Sequence, residues 1–209
     1  MPVVTGLYES RGVVRVAVDG RAACDIGAKF FQKYPLAEGE AVDIEAYLGR
    51  VAAAQAEACY ESALKLLSLS ARTSAEIEKK LTQRGFVRPA ICAALERLTE
   101  AHLIDDRALA ERLVELKAEK PVGRYALKQK LRAKGVSDED AQAALEQLTD
   151  EQQRSACRQM AEKLYPRYRD IGVRAARAKL SQALARRGFS WDAIGAAVDA
   201  LLSADDDEW

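Results

Sequence analysis

The most regular feature of the chain is a pattern of apolar positions that runs up to a glycine and recurs three times. Each copy has apolar residues eight and four positions before the glycine, on one helical face, and another directly after it. The copies end in KLTQRGF at 80–86, KLRAKGV at 130–136 and ALARRGF at 183–189. A glycine just past a helix end adopts the left-handed conformation that a Cβ makes costly. The pattern therefore predicts helices that end at Gly85, Gly135 and Gly188.

The residues around these glycines indicate that a whole helical unit is repeated. Thr73 with Glu76 fits a capping box, Ser137 with Asp140 fits one with Asp in place of Glu, and Ser190 can cap a further helix. The glycines lie 50 and 53 residues apart, which leaves room for three short helices in each unit. The apolar pairs that we expect to close the helix ends are Leu81 with Phe86, Leu131 with Val136 and Leu184 with Phe189. The predicted repeats are residues 57–104, 105–149 and 150–203, in the manner of a modular helical array.

The first 56 residues do not follow this repeat. Alternating valines before Asp19-Gly20 are typical of a strand that leads into a tight turn. A β-meander is expected over 3–8, 13–18 and 22–26, followed by a brief helix in AKFFQKY and a long one over about 43–69. The predicted fold is therefore mainly α: tandem three-helix, helix-turn-helix-like repeats in an elongated array, with a small β-meander appendage. Residues 204–209 form an acidic tail.

Composition and motifs argue against several classes of protein. No apolar run approaches the roughly 20 residues of a membrane helix and the first residues lack a secretory pattern, so we expect a cytoplasmic protein without a membrane partner. The four cysteines form no C-x-x-C pair, so they are expected to be small buried or half-buried side chains rather than metal ligands. His102 is expected to connect helices, and Asp105 and Asp106 to cap one. Without a phosphate-binding glycine loop or a nucleophile beside a base, the sequence predicts a non-enzyme with no cofactor and no metal.

Charge is balanced overall but not along the chain. The sequence has 32 basic and 32 acidic residues, yet residues 124–134 hold five cations and no acid, and residues 163–187 hold eight cations beside Asp170. Within the first cluster, Arg124, Lys128 and Arg132 recur every four residues and form one ridge of a helix. Arg174 and Arg177 form a comparable ridge in the third repeat. The candidate partner-binding or nucleic-acid-binding residues are Arg124, Lys128, Lys130, Arg132, Lys134, Arg174, Arg177, Lys179, Arg186 and Arg187. The alternative for either cluster is a solvated helix face.

Several motifs, taken in order, resemble the RecX family of regulatory proteins. They are ALKLLSLSARTSAEIEKKLTQRGF, LIDDRALAERLVE, KLRAKGVSDEDAQAAL and LARRGFSWDAI. The N-terminal VVRVAVDG is similar to an extension found in some members, so the resemblance runs from about Val13 to Leu202. It implies tandem three-helix modules that bind the RecA recombinase filament on DNA and inhibit it. The chain departs from the pattern at Ala183, where the other copies have lysine, and at Val136, where they have phenylalanine.

The resemblance implies that the basic ridges contact phosphates or acidic groups of a nucleoprotein filament. Bound modules would hinder monomer addition, or would clamp the filament against rearrangement. The expected partners are the RecA filament and single- or double-stranded DNA, bound weakly by the chain alone, which is expected to be a monomer. Two other functions remain open: a direct DNA-binding helical-repeat protein and a purely protein-binding helical scaffold.

Overall fold

The computed structural model describes residues 1–118 and 120–206, which form three β-strands and ten α-helices. The strands are β1 (Val4–Ser10), β2 (Val13–Val18) and β3 (Arg21–Gly27). The helices are α1 (Ala28–Phe31), α2 (Ile44–Leu69), α3 (Ser74–Gln83), α4 (Arg88–Glu100), α5 (Asp106–Ala118), α6 (Arg124–Ala133), α7 (Asp138–Glu146), α8 (Asp150–Leu164), α9 (Val173–Ala185) and α10 (Trp191–Asp206). Two 3-10 turns, Tyr165–Arg167 and Arg169–Ile171, connect α8 to α9. The chain divides into two compact units, one over Met1–Asp105 and a second that begins at Asp106.

The N-terminal strands form the antiparallel meander β1-β2-β3 that the sequence predicts. Both connecting turns have two central residues with positive φ: 53° and 76° at Arg11-Gly12, and 48° and 75° at Asp19-Gly20. Such turns match the right-handed twist of the flanking strands, which explains the short connections. Val16 is completely buried, so the alternating valines of β2 present one face to the core.

Helix α2 provides the longest buried stripe of the first unit. Its 26 residues begin after Asp43, whose side chain accepts a hydrogen bond from the Ala46 N–H. Buried residues recur every three or four positions along it, and they are Tyr47, Val51, Gln55, Cys59, Ala63 and Leu66. This stripe packs on α4 and shares one core with the sheet and α3. Helix α2 also runs unbroken through the repeat boundary expected at residues 56 and 57, and that boundary remains a prediction.

The second unit contains two further three-helix cores. One is formed by α5, α6 and α7 around Val114, Leu131 and Leu145. The other is formed by α8, α9 and α10 around Leu180 and Ile194, with smaller side chains such as Cys157 filling the space between them. The prediction of a mainly helical chain with tandem three-helix units and an N-terminal meander is confirmed.

The three glycine stops have the conformation that the sequence requires. Gly85, Gly135 and Gly188 have φ values of 78°, 77° and 81°. In each copy the amide of the residue after the glycine donates to the carbonyl of the leucine in the last turn. These N···O distances are 3.2 Å for Phe86 to Leu81, 3.1 Å for Val136 to Leu131 and 3.5 Å for Phe189 to Leu184. The bonds satisfy carbonyl groups that a helix end otherwise leaves without a donor.

The caps agree with the sequence at two of three positions. Thr73 and Glu76 form a full capping box, and the Ser190 hydroxyl accepts the Ala193 N–H at 3.3 Å. The Ser137 hydroxyl accepts the Asp140 N–H, but it also donates to the Asp140 carboxylate, so the expected reciprocal bond to the Ser137 backbone is replaced. The aspartate side chain is one methylene shorter than that of glutamate, which accounts for the change.

Three details differ from expectation or refine it. Cys92 is exposed on α4, although the cysteines were expected to be buried or half-buried, because its position faces away from the stripe that packs on α2. His102 has a φ of 53° and its N–H donates to the Thr99 carbonyl, so it closes α4 as the glycines close other helices. Helix α10 continues through residues 204–206, and the rest of the expected acidic tail lies outside the described residues. No helix in the described part of the chain has the length and apolarity needed to cross a membrane.

Candidate functional site

The first candidate ridge lies on α6, whose register is set by its two buried leucines. Leu127 and Leu131 are each 3% exposed and face the core of the second repeat. Arg124, Lys128 and Arg132 follow the same four-residue spacing on a neighbouring row of the helix. Helix α6 spans all three residues, so the structure gives the ridge the local geometry that its spacing predicts.

Arg124 is tied to the junction between α7 and α8. Its guanidinium donates to the Leu148 carbonyl and lies 3.3 Å from the Asp150 carboxylate. Its backbone N–H donates to the Gln153 side chain at 2.8 Å. The Nε atom is buried and has no acceptor within the described residues. Arg124 therefore joins the second repeat to the third, and its charge is already partly compensated.

Arg132 at the other end of the ridge is also paired. Its Nε and Nη2 atoms donate to the two carboxylate oxygens of Asp138 at 2.6 and 3.0 Å. The hydrogen bond from Arg132 lowers the pKa of Asp138; desolvation opposes this shift, and the charges of Arg132 and Lys128 add to it. This bidentate pair spans the turn at Gly135, which gives Arg132 a local structural role.

The lysines of α6 form fewer interactions within the protein than the two arginines. Lys128 is half-buried and Lys130 is exposed, and neither forms an ion pair with any residue that the structure describes. Lys134 occupies the C-cap position of α6 and is half-buried beside Leu131. Lys128 and Lys130 are therefore the cations of this cluster whose charge is available to an external partner.

The third-repeat cluster divides in the same way. Arg177 on α9 pairs with Asp199 on α10, and the Arg187 guanidinium donates to the Ala183 carbonyl at 2.9 Å. The other predicted binding residues of this repeat are exposed and without an ion pair among residues 1–118 and 120–206, and they are Arg174, Lys179 and Arg186. Arg124 and Arg177 both stand eleven residues before a stop glycine, so the equivalent position of the two repeats carries an internal ion pair.

A cleft between the second and third repeats was not foreseen from the sequence. Tyr125 and Trp191, which are 64% and 69% exposed, line a cleft of about 490 Å³ together with Lys128. The two aromatic residues lie 66 positions apart and open different helices, α6 and α10. The available signal was an aromatic residue in the first turn of each helix, but sequence spacing alone does not show that the two helix starts meet.

Glycine packing brings those two helix starts together. The Gly123 N–H donates to the Arg187 carbonyl at 3.0 Å, and the Tyr125 N–H donates to the Gly188 carbonyl at 3.1 Å. A Cβ built on Gly123 would lie 2.0 Å from the Gly188 carbonyl carbon, so the close approach requires glycine there. The stop of α9 thus fixes the start of α6, and Ser190 fixes the start of α10 beside it.

Reactive groups are scarce among the described residues. Burial raises the pKa of the Cys24, Cys59 and Cys157 thiols to about 11, with a smaller contribution from Asp25 at Cys24, so these thiols are neutral at physiological pH. No group of three or more potential ligands that could hold a metal ion occurs in the part of the chain that the structure describes. The described surface offers cations, hydrogen-bonding groups and exposed aromatic rings such as Tyr125 and Trp191, all of which can take part in binding.

Comparison with known proteins agrees with the three-helix organisation. The models of the first, second and third three-helix domains of RecX match residues 59–98, 105–145 and 150–198. The regulatory protein RecX of Limosilactobacillus reuteri is 31% identical over 182 residues, which cover 86% of this chain and 69% of that protein. The RecX protein of Chlorobaculum tepidum is 36% identical over 143 residues, which cover 68% of this chain and 87% of that protein.

Solved structures give the same result. A crystal structure of a regulatory protein RecX aligns with a TM-score of 0.67 at 28% identity, covering 95% of this chain and all of that one. RecX from Lactobacillus salivarius aligns with a TM-score of 0.66 at 32% identity, covering 71% of this chain and 97% of its own. With three family domains matched in order and relatives aligned over most of their length, this chain belongs to the RecX family of regulatory proteins.

Proposed function

We propose that this chain binds RecA recombinase filaments assembled on DNA and inhibits their ATPase, strand-exchange and coprotease activities. The observation that carries the proposal is the ordered match of three RecX domains along residues 59–198. The chain acts as a regulator and hydrolyses no nucleotide itself. In this proposal the chain acts in the cytoplasm, which is the compartment that contains the RecA filament.

The charge distribution supports a nucleoprotein partner over DNA alone. Net charge is zero, so no global positive field draws the chain to polynucleotides. Among the predicted binding residues, the cations with neither an ion pair nor a side-chain hydrogen bond to a described residue lie on the middle helices of the second and third repeats and just after α9. They are Lys128, Lys130, Arg174, Lys179 and Arg186. A mixed surface with local basic patches suits a filament that presents both protein groups and phosphates.

Inhibition in this proposal is steric and electrostatic. Modules that occupy the filament surface hinder the addition of RecA monomers, or hold the filament against the rearrangement that ATP turnover and strand exchange require. Cations at the surface contact phosphates or acidic RecA groups, while Arg124 joins the second repeat to the third and the ion pairs of Arg132 and Arg177 act within their own repeats.

The direct test measures ATP hydrolysis by RecA on single-stranded DNA as this protein is added. Turnover should fall in a dose-dependent manner, and the protein alone should hydrolyse no ATP. Cosedimentation with RecA, with and without DNA and nucleotide, should show binding that depends on the assembled filament. Unchanged RecA turnover together with the absence of cosedimentation would overturn the proposal.

A charge-matched pair of variants separates a binding surface from a solvated one. The first variant carries Lys128→Gln, Lys130→Gln and Arg174→Gln, and the control carries Lys65→Gln, Lys79→Gln and Arg88→Gln. Each set removes three cations that form no ion pair with the described residues, so the net charge of the two variants is the same. The first should weaken inhibition and reduce its salt dependence, whereas the control should inhibit like the parent. Equal behaviour of the two variants would favour the solvated-face alternative.

The alternative of a direct DNA-binding protein has its own signature. Strong binding to naked duplex DNA, with a steep loss of affinity as salt rises and no preference for the RecA filament, would favour it. Filament binding that is insensitive to salt would favour the protein-binding scaffold. The proposal predicts filament binding that is stronger than binding to naked DNA and only moderately salt-dependent.

A further inference from the structure

The cleft between the second and third repeats combines features that fit one chemical class of ligand. Tyr125 and Trp191 expose about two thirds of their surface and line the same cleft. Leu145 and Phe189 are buried and contribute its apolar part, and Lys128 contributes a cation. Single exposed aromatic residues are common on protein surfaces, but two that flank one cavity beside a lysine are not explained by the fold.

The remaining groups that line the cleft restrict the chemical class of the ligand further. Gln142 and Ser190 offer an amide and a hydroxyl, which can pair with the edge of a planar polar ring. No carboxylate lines this cleft within the described residues, whereas Asp150 and Asp192 line a separate cleft that shares Arg124 and Ser190 with it. A volume of about 490 Å³ falls within the range of small-molecule sites and exceeds what one nucleobase needs.

We infer that this cleft binds an unstacked base of single-stranded nucleic acid between or upon Tyr125 and Trp191. Lys128, one turn after Tyr125 on α6, neutralises an adjoining phosphate. Aromatic rings stack on any base because every base has a π-face, so the site selects single strands without selecting sequence. The inference deepens the proposed function and rests on it for the biological source of the strand, which is the DNA of the filament. The binding event itself belongs to this chain and can be measured without RecA.

The folded structure holds the two rings in place through the backbone. Tyr125 is positioned by its N–H bond to Gly188, and Trp191 follows Ser190, which caps α10. Neither position depends on the aromatic side chain. Truncation of either ring should therefore leave the fold intact, which makes the site open to mutational test.

The experiment uses the full chain with Trp209→Phe, which leaves Trp191 as its one tryptophan. Titration with an oligothymidine of about 15 nucleotides should quench Trp191 fluorescence, and a labelled strand should show the same affinity by anisotropy. In the parent chain, Trp191→Ala and Tyr125→Ala should each weaken the affinity measured by anisotropy roughly 5- to 150-fold, the range expected for one lost stack. Trp191→Phe and Tyr125→Phe should retain most of the affinity. Lys128→Gln should lower the slope of log affinity against log salt by about 0.7.

Two controls make the result specific. Tyr8→Ala removes a tyrosine that is also 64% exposed but lies on β1, so it should bind the strand like the parent. A duplex of the same length should compete poorly, because its bases are stacked and unavailable. Folded Tyr125→Ala and Trp191→Ala variants that bind as the parent does would overturn the inference, as would the absence of quenching. Preference for an acidic peptide over the strand would also overturn it.

Parallel RecA assays distinguish failure of this inference from failure of the proposed function. If the parent protein inhibits RecA turnover but does not bind the free strand, the assignment of the cleft is wrong and the proposed function stands. If the parent protein binds the strand through Trp191 but leaves RecA turnover unchanged, the assignment of the cleft stands and the proposed function is wrong.

Discussion

The turns at Gly85 and Gly135 have the same closing hydrogen bonds but very different surroundings. Gly85 is buried, and a Cβ built on it would lie 2.3 Å from the Gly27 nitrogen. The Gly27 N–H donates to the Gly85 carbonyl at 2.8 Å, so the helix stop is also a docking point for the end of β3. Gly135 is exposed, and an exposed ion pair between Arg132 and Asp138 spans its turn. One local motif thus serves either to end a helix or to end it and hold another segment.

The stop at Gly188 resembles that at Gly85 rather than that at Gly135. A Cβ on Gly188 would lie 2.2 Å from the Ala126 nitrogen, and Gly123 at the start of α6 packs against it. In both units the partner segment begins with a glycine at a helix N-cap, which is Gly27 in the first and Gly123 in the second. Close backbone approach, rather than side-chain burial, is what these two junctions share.

The largest expected effect comes from adding a methyl group at the docked stops. Gly85→Ala and Gly188→Ala combine a residue forced into positive φ with a backbone clash below 3 Å. We expect each to lower the free energy of unfolding by roughly 3 kcal/mol or more, since strain and overpacking add. Urea unfolding should show this against Gly135→Ala as the matched control, which should lose only about 1 kcal/mol. Equal losses at all three positions would remove the distinction between docked and free stops.

Gln55 provides a second way to test the docked stop of the first unit. Its amide is completely buried, donates to the Gly85 carbonyl at 3.0 Å and accepts the Val87 N–H at 2.7 Å. Gln55→Leu has a similar volume but leaves the buried Val87 N–H without an acceptor, so we expect a loss of about 2 kcal/mol.

Thermal and urea unfolding of this variant would measure the loss. Replacement of Gln153, whose side chain accepts the Arg124 N–H at a partly buried site, should cost less and serves as the comparison. A neutral effect of Gln55→Leu would mean that water or local movement satisfies the Val87 amide.

Gly135 itself should respond to a side chain through backbone conformation. Gly135→Val places a β-branched residue at a φ of 77°, which it resists. We expect a loss of about 1–2 kcal/mol, larger than that of Gly135→Ala, because branching restricts the side chain further. Hydrogen exchange should show the last turn of α6 opening more readily in this variant. Protection equal to the parent's would indicate that the turn adapts without strain.

The sequence predicts the stops because they depend on residues within one turn of each other. The left-handed glycine, the cation before it and the apolar residue after it are local requirements, as are the capping box at Thr73 and the turn at Asp19-Gly20. The docking of Gly85 on Gly27 joins residues far apart in the chain, and nothing in either stretch alone specifies the partner. The same reason hides the cleft of Tyr125 and Trp191, which forms only where two helix starts meet.

The sequence predicts where the basic residues of α6 lie, but not which of them form ion pairs within the protein. Spacing placed Arg124, Lys128 and Arg132 on one ridge of α6, and helix geometry requires that result. It did not reveal that Arg124 and Arg132 have acidic partners, because Asp138 and Asp150 both lie beyond the C-terminal end of that helix. A role for the ridge in binding remains a prediction, now concentrated on Lys128 and the other unpaired cations.

The smallest expected effect concerns the ion pair that spans the exposed stop. Hydrogen bonding from Arg132 lowers the pKa of Asp138 in the folded state, so its carboxylate stabilises the fold above the ordinary aspartate pKa, near 3.8. That contribution should be constant at neutral pH and disappear as pH falls from about 4 through the lowered folded pKa. Urea unfolding of the parent and Asp138→Asn should therefore differ slightly at pH 7 and converge toward pH 2.

Arg132→Gln is the matched variant, because it removes the ion pair but keeps the Asp138 carboxylate in the first turn of α7, where it also interacts favourably with the helix dipole. A smaller loss for Arg132→Gln than for Asp138→Asn would assign the difference to the helix dipole, and equal losses would assign it to the pair. A difference that does not shrink as the pH falls below about 4 would mean that Asp138 stabilises the turn without its charge, which would contradict the ion-pair assignment.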